Sequence, residues 1–286
     1  MPQFNHGTHF DVFSHQGPAL HFYGANGFPT KVYRSFINCL QHEFSVSSLH
    51  NRATWPNEPM PKKINWQIYA DDLIHFLSGH SAKPVIGVGH SLGATSTVLA
   101  AIKRPDLFKC LVLIEPAMTS PLVSKLLPLV PFRLAQRVQP IKYTVEKTDT
   151  WSSSESFYQD LKQRRVFKRI DDDDLQHMAE QSLRQASEQH AHLKFPKMWE
   201  AKNYASAPNI YRQLKDLTMP VIAIRGKPSA YFSDKSWQKW RALSPNTLFK
   251  EDANYGHLFP LESPEKCSEL IMSGLMELGF SGYSSC

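Results

Sequence analysis

The sequence predicts an α/β protein, a mostly parallel central sheet flanked by helices, with a helical cap inserted between two parts of the core. Three observations carry that prediction. Short apolar runs alternate with amphipathic stretches from the first residues to Pro116. Two of the runs, PVIGVG (84–89) and CLVLIEP (110–116), are apolar almost throughout, as strands buried on both faces of a parallel sheet are. The pattern breaks at Met118, gives way to polar, helix-like sequence, and returns at MPVIAIRG (219–226).

Taken in order, THFDVFS (8–14) alternates as a strand does, and PALHFYG (18–24) reads as a second strand that runs into the loop ANGFP (25–29). KVYRSFINCLQHE (31–43) places Val32, Phe36, Ile37 and Leu40 at helical spacing. FSVSSLH (44–50) is a strand candidate, and a proline-broken loop follows at 52–63. NWQIYADDLIHFLSGH (65–80) reads as a helix with Asn65 available to cap it. The apolar run 84–89 is followed by a helix over 92–105 that stops at Pro105, then by the strand 110–116. The insertion includes LQHMAEQSLRQASEQHAHL (175–193), read here as helix. After the strand 219–226 come a helix over 233–244, a strand candidate at the start of TLFKEDANYGHLFP (247–260), and a last helix over 263–280. Ser263 stands at the N-cap of that helix and Pro264 at its first position. The expected division is a core of residues 1–117 and 216–286 and a cap of 118–215.

With 286 residues, 42% of them hydrophobic and 20% charged, the chain can bury a substantial core. The net charge of +6 is a weak sign of an anionic partner. Its densest basic stretch, KQRRVFKR (162–169), is followed by DDDD (171–174), and no nucleic-acid motif accompanies it, so no nucleic-acid partner is expected. Cys39, Cys110, Cys267 and Cys286 form no CxxC, which removes zinc-ribbon and thioredoxin readings and fits a reduced, cytoplasmic setting. MPQFNHGTHFDVF lacks the basic and apolar regions of a signal peptide, and no run approaches the length of a membrane span.

The chemistry gathers around GVGHSLGA (87–94). Gly89-His90-Ser91-Leu92-Gly93 fits G-x-S-x-G, set between a buried-strand run and a helix pattern, where the motif requires a sharp strand-to-helix turn. A serine there projects its hydroxyl from the sheet edge, and the amino end of the next helix favours developing negative charge. On GANGFP, GHSLGA, RPDLFKCLVLIEP and YGHLFPLESPE, taken in that order, the chain resembles the α/β-hydrolases over nearly its whole length, and more narrowly a bacterial subgroup with an ANGFP loop. The resemblance implies a serine nucleophile, Ser91, and a base, His257, in the loop after the last strand. His90 reads as a neighbour of the site and not a second base.

The resemblance also implies an aspartate near Ser229 or Ala230, and this chain has none there. Glu115, at the end of the strand beside the one carrying Ser91, is the favoured acid; some α/β-hydrolases take theirs from that position. Asp234, the next carboxylate along, is the alternative acid, with helix capping as its structural role. The resemblance assigns the oxyanion hole to the backbone N–H groups of Leu92 and Phe28, with Gly27 letting the loop approach closely and Asn26 bracing it.

The expected activity is hydrolysis of an ester or related acyl bond of a small, partly apolar molecule, without metal or cofactor. His75, His80 and His90 are not spaced as zinc ligands. Leu126, Leu127, Trp151, Met198 and Trp199 are candidates to line an apolar pocket, or only to pack the cap. The same residues would serve a C–C bond hydrolase, a lactonase or a thioesterase, and the missing aspartate is the one feature favouring a non-catalytic binding protein.

Overall fold

A computed structural model of the protein describes residues 4–187, 190–227, 229 and 231–280. Along the chain run β1 (Phe10–Val12), β2 (Ala19–Tyr23), α1 (Arg34–Gln41), β3 (Ser45–Leu49), α2 (Gln67–His80), β4 (Val85–His90), α3 (Leu92–Lys103) and β5 (Phe108–Ile114). The intervening segment holds α4 (Pro121–Leu126), α5 (Phe132–Ala135), α6 (Ile141–Glu146), β6 (Thr150–Trp151), α7 (Ser154–Gln163), α8 (Asp172–Ser182), β7 (Leu183–Ser187), β8 (His190–Leu193), α9 (Lys197–Ala205) and α10 (Tyr211–Lys215). The chain then returns through β9 (Val221–Gly226), α11 (Asp234–Leu243), β10 (Leu248–Asp252), α12 (Phe259–Glu262) and α13 (Pro264–Glu277).

Seven strands form one sheet in the order β1-β3-β2-β4-β5-β9-β10. Only the β1–β3 pairing is antiparallel; the other neighbours run parallel. The two-residue period of each strand divides its side chains between two layers. Phe22, Val88, Val112 and Ile224 pack toward α1 and α13, whereas Leu111, Leu113 and Ala223 pack toward α2, α3 and α11. Burial on both faces is why β4 reads as an uninterrupted apolar run. Cys110 is a buried member of the first layer.

Three elements depart from the sequence reading. The helix expected over 31–43 begins as a 3-10 turn, Thr30–Tyr33, before α1. Asn65 lies one residue outside the expected capping position, yet its side chain still accepts from Gln67 N–H at 3.1 Å. Ser263 does occupy the N-cap position of α13 with Pro264 first in the helix, as expected, although its side chain makes no capping bond. The largest difference is at 175–193: α8 ends at Ser182, and β7 and β8 join β6 in a separate antiparallel sheet. The reason is local: in His190–Leu193, Ala191 is buried between exposed His190 and His192, an alternation that suits a strand and not a helix face.

Parallel strands direct their carboxyl ends to one edge of the sheet, and the loops after β2, β4, β5, β9 and β10 meet there.

Candidate active site

Ser91 sits between β4 and α3 with φ +53°, a strained conformation for a residue with a side chain. The flanking glycines make the turn possible. A Cβ on Gly89 would lie 2.4 Å from Ala94 Cα, and one on Gly93 would lie 1.9 Å from the Tyr23 carbonyl oxygen. Strand, turn and helix therefore close on one another only with glycine at both places. Ser91 N–H is tied to the Ile114 carbonyl at 3.0 Å, and Ser91 O accepts from Ala117 N–H at 3.1 Å, which fixes the turn against the end of β5.

His257, in the loop after β10, lies with Nε2 3.2 Å from Ser91 Oγ and Nδ1 2.6 Å from Glu115 Oε2. A carboxylate can only accept, so Nδ1 carries the proton and donates it. That leaves the Nε2 lone pair to accept from the serine hydroxyl. Glu115 is fully buried and, like Ser91, has a positive φ, +45°. Its two oxygens collect two further donors: Gly226 N–H at 3.0 Å on Oε1 and Ser229 Oγ–H at 2.5 Å on Oε2. A buried carboxylate is tolerable only when its lone pairs are met in this way. Ser229, near the place where the resemblance implies an aspartate, thus donates to the carboxylate supplied from β5; Ala230 lies outside the described residues.

Asp234 is engaged elsewhere. It begins α11, whose N-cap is Ser233, and it pairs with Arg225 at 2.8 Å and Lys227 at 3.4 Å. Arg225 is 2% exposed and also pairs with Glu251, so Asp234 answers a buried cation and not His257.

The ANGFP loop faces the same site. Leu92 is the first residue of α3, so its N–H has no partner within the helix. Phe28 N–H makes only a long turn contact of 3.4 Å to the Ala25 carbonyl. Gly27 has φ +87°, and a Cβ there would meet the Glu200 carboxyl group at 2.9 Å. Asn26 joins the loop to α9: its Nδ2 donates to Glu200 O at 3.1 Å and its Oδ1 accepts from Asn203 Nδ2 at 2.7 Å.

Two groups of residues escaped sequence reasoning. The first is a buried hydrogen-bond line. Ala25 N–H donates to Tyr33 Oη at 3.1 Å, Tyr33 Oη lies 2.8 Å from His90 Nδ1, and His90 Nε2 lies 2.8 Å from the His257 carbonyl. Because that carbonyl only accepts, His90 donates from Nε2 and receives the tyrosine proton at Nδ1. His90 therefore braces the loops of both the ANGFP segment and His257 while staying neutral; burial and then the neighbouring His257 push its pKa down to about 3. The second group is an ion pair between Lys147 and Glu200 within the pocket wall. Residues separated this far in sequence leave no spacing signal.

Ser91 and His257 open on a cavity of about 150 Å³, whose walls include Phe28, Trp151, Phe157, Leu161 and Met178. Of the five candidate lining residues only Trp151 reaches it. Leu127 and Met198 line other grooves, Trp199 packs in the core, and Leu126 is exposed. Lys147 and Arg164 do face the cavity, but Glu200 and Asp160 already pair with them, which weakens the case for an anionic substrate.

A family model described as "alpha/beta hydrolase fold" matches residues 13–264. Among solved structures, the chain is similar to E-2-(acetamidomethylene)succinate hydrolase, with a TM-score of 0.77, 20% identity, and coverage of 93% of this chain and 94% of that one. It is also similar to an enol-lactonase from Burkholderia xenovorans LB400, with a TM-score of 0.67, 12% identity, and coverage of 94% and 96%. At such identities the likeness is one of fold. A curated relative, ethanol acetyltransferase 1 from Hanseniaspora uvarum, is 38% identical over 52 residues, a stretch covering 18% of this chain and 16% of the relative.

Proposed function

The chain belongs to the alpha/beta hydrolase fold family, and from that premise we propose that it is a serine hydrolase that cleaves an ester or related acyl bond of a small molecule through an acyl-enzyme on Ser91. The observation that carries this reading is the unbroken line Ser91 Oγ–His257 Nε2, His257 Nδ1–Glu115 Oε2, at 3.2 and 2.6 Å. A hydroxyl is a poor nucleophile until a base removes its proton, and this line supplies a base with its tautomer fixed.

In the first half-reaction Ser91 Oγ attacks the substrate carbonyl carbon while its proton passes to His257 Nε2. Glu115 stabilises the resulting imidazolium, and the Leu92 and Phe28 N–H groups hold the oxyanion at the amino end of α3. As the tetrahedral intermediate collapses, the bond to the leaving group breaks and His257 returns the proton to it. In the second half-reaction His257 takes a proton from water, the hydroxide attacks the acyl carbon, and Ser91 leaves with the proton returned by His257. Residues 118–215 act as a cap that closes the acyl side of the pocket, through Trp151, Phe157, Leu161 and Met178. The apolar wall and limited volume favour a compact acyl group. Glu115's bond to His257 weighs against a non-catalytic binding protein, because the absence of an aspartate near 229 was the ground for that reading.

A panel of p-nitrophenyl esters of graded acyl length, with a matched thioester and a lactone, tests the proposal. Wild-type protein is expected to turn over the short-chain members, and Ser91→Ala to lose at least about a thousandfold in kcat/KM. Turnover unchanged in Ser91→Ala, or none by the wild type on any member, would contradict it. The member turned over fastest identifies the bond class.

A further inference from the structure

Exposed apolar side chains are usually scattered singly over a protein surface. Here eight of the thirteen large ones exposed among the described residues fall between Leu122 and Tyr143. Leu129 is the extreme case at 78% exposure, and Leu122, Leu126, Leu134 and Val138 stand out beside it. The same stretch holds Lys125, Arg133, Arg137 and Lys142, all exposed. Among the described residues none of these four takes part in an ion pair, whereas other surface cations such as Lys103, Arg104 and Lys266 do. No Asp or Glu occurs between Glu115 and Glu146. Lys62 and Lys63, from a separate loop, line the groove that also takes in Leu127, Leu129 and Phe132, so the positive charge continues beyond the segment.

We propose that this face, built on α4, α5 and the turns around them, docks on an anionic lipid bilayer surface, with the leucines entering the interfacial layer and the lysines and arginines meeting lipid phosphates. Exposed apolar side chains interspersed along one segment with cations that form no ion pair among the described residues suit a soft, negatively charged interface. They do not suit a second copy of the same face. Symmetric pairing would bring the cations of one copy against the same cationic segment of the other, with no carboxylate in that segment to offset them. The helices are short, and among the described residues none is long and apolar enough to cross a membrane, so the binding is peripheral. The segment continues into Pro140, Tyr143 and Thr144, which line the Ser91 cavity, so docking would bring the pocket close to the lipid surface. The docking itself does not depend on the chemistry at Ser91.

Flotation with vesicles of phosphatidylcholine alone, and of phosphatidylcholine mixed with phosphatidylglycerol, tests this. The wild type should float with the mixed vesicles and not with the neutral ones, and added salt should weaken binding. The triple variant Lys125→Glu/Arg133→Glu/Arg137→Glu should lose about a hundredfold or more in partitioning. Leu126→Ser/Leu129→Ser should also bind less, and Lys83→Glu, outside the face, should bind as the wild type does. Circular dichroism checks that each variant is folded. Equal binding to both vesicle types, no binding to either, or binding that survives both the charge and the leucine variants would overturn the proposal. So would a wild-type dimer in light scattering that the leucine variant converts to monomers without any vesicle binding, since the occupant would then be a second copy.

Discussion

At the scale of single residues, two buried histidines make the fold sensitive to acid. His90 and His21 are both fully buried, and burial pushes the pKa of each down to about 3 from the usual 6.5. Each has an acceptor role that protonation would abolish: His90 Nδ1 receives from Tyr33, and His21 Nε2 receives from Leu49 N–H at 3.0 Å. The unfolded chain binds these protons first, so the stability that the two neutral histidines contribute is fully present above pH 6.5 and is lost as the pH drops toward 3. By pH 5 the loss is about 2 kcal/mol for each histidine. Urea titrations between pH 8 and pH 5 should show this decline, and His90→Gln should remove about half of it, leaving the part that belongs to His21; an unaltered slope would mean that His90 is already accessible to protons in the fold. Legibility at this scale was uneven. Ser91 stood out in its five-residue surroundings, and the resemblance to the α/β-hydrolases pointed to His257 by its place after the last strand candidate. Glu115 stood out as a carboxylate ending an apolar run. The bonds of Tyr33 to His90, of Ser229 to Glu115 and of Lys147 to Glu200 could not be read, because each joins residues 53 or more positions apart.

At the scale of elements, the turn between β4 and α3 is the tightest piece of the fold. Gly93→Ala would drive a Cβ into a backbone carbonyl of β2 that cannot move without separating β2 from α3. The expected cost is about 3 kcal/mol or more, measured by chemical denaturation. Gly79→Ala, on the exposed end of α2 with open space around its Cβ, is the control and should be neutral or stabilising by up to ~1 kcal/mol. Near-wild-type stability in Gly93→Ala would show that the turn has more room than its geometry implies. The same elements explain what the sequence made legible. β4, β5 and β9 are buried on both faces, so their composition alone marks them. β7 and β8 are short strands of a small sheet with one buried side chain each, and four or five residues of alternation are too few to outweigh the helical spacing of Leu175, Met178 and Ala179 just before them.

At the scale of the whole molecule, topology brings the candidate site residues together. Ser91, Glu115 and His257 follow three different strands, with Ser229 in the loop after a fourth, and the sheet order β4-β5-β9-β10 sets those strand ends side by side. The order explains how an acid from the end of β5 reaches a histidine that follows β10: the β9 loop between them offers a serine where a carboxylate would compete, and its hydroxyl and the Gly226 N–H hold Glu115 in place. The central claim is that this assembly activates Ser91 and that Glu115, not Asp234, completes it. The most direct measurement is the rate of covalent labelling by a fluorophosphonate, followed by intact mass, on wild type, Ser91→Ala, Glu115→Gln and Asp234→Asn. Wild type should gain one adduct and Ser91→Ala none. Glu115→Gln should label roughly 10³–10⁴-fold more slowly, as expected when an imidazole loses the carboxylate that fixes its tautomer. Asp234→Asn should label within about twofold of wild type, since its charge serves Arg225 and Lys227. Wild-type labelling rates in Glu115→Gln, or a collapse in Asp234→Asn instead, would contradict the account.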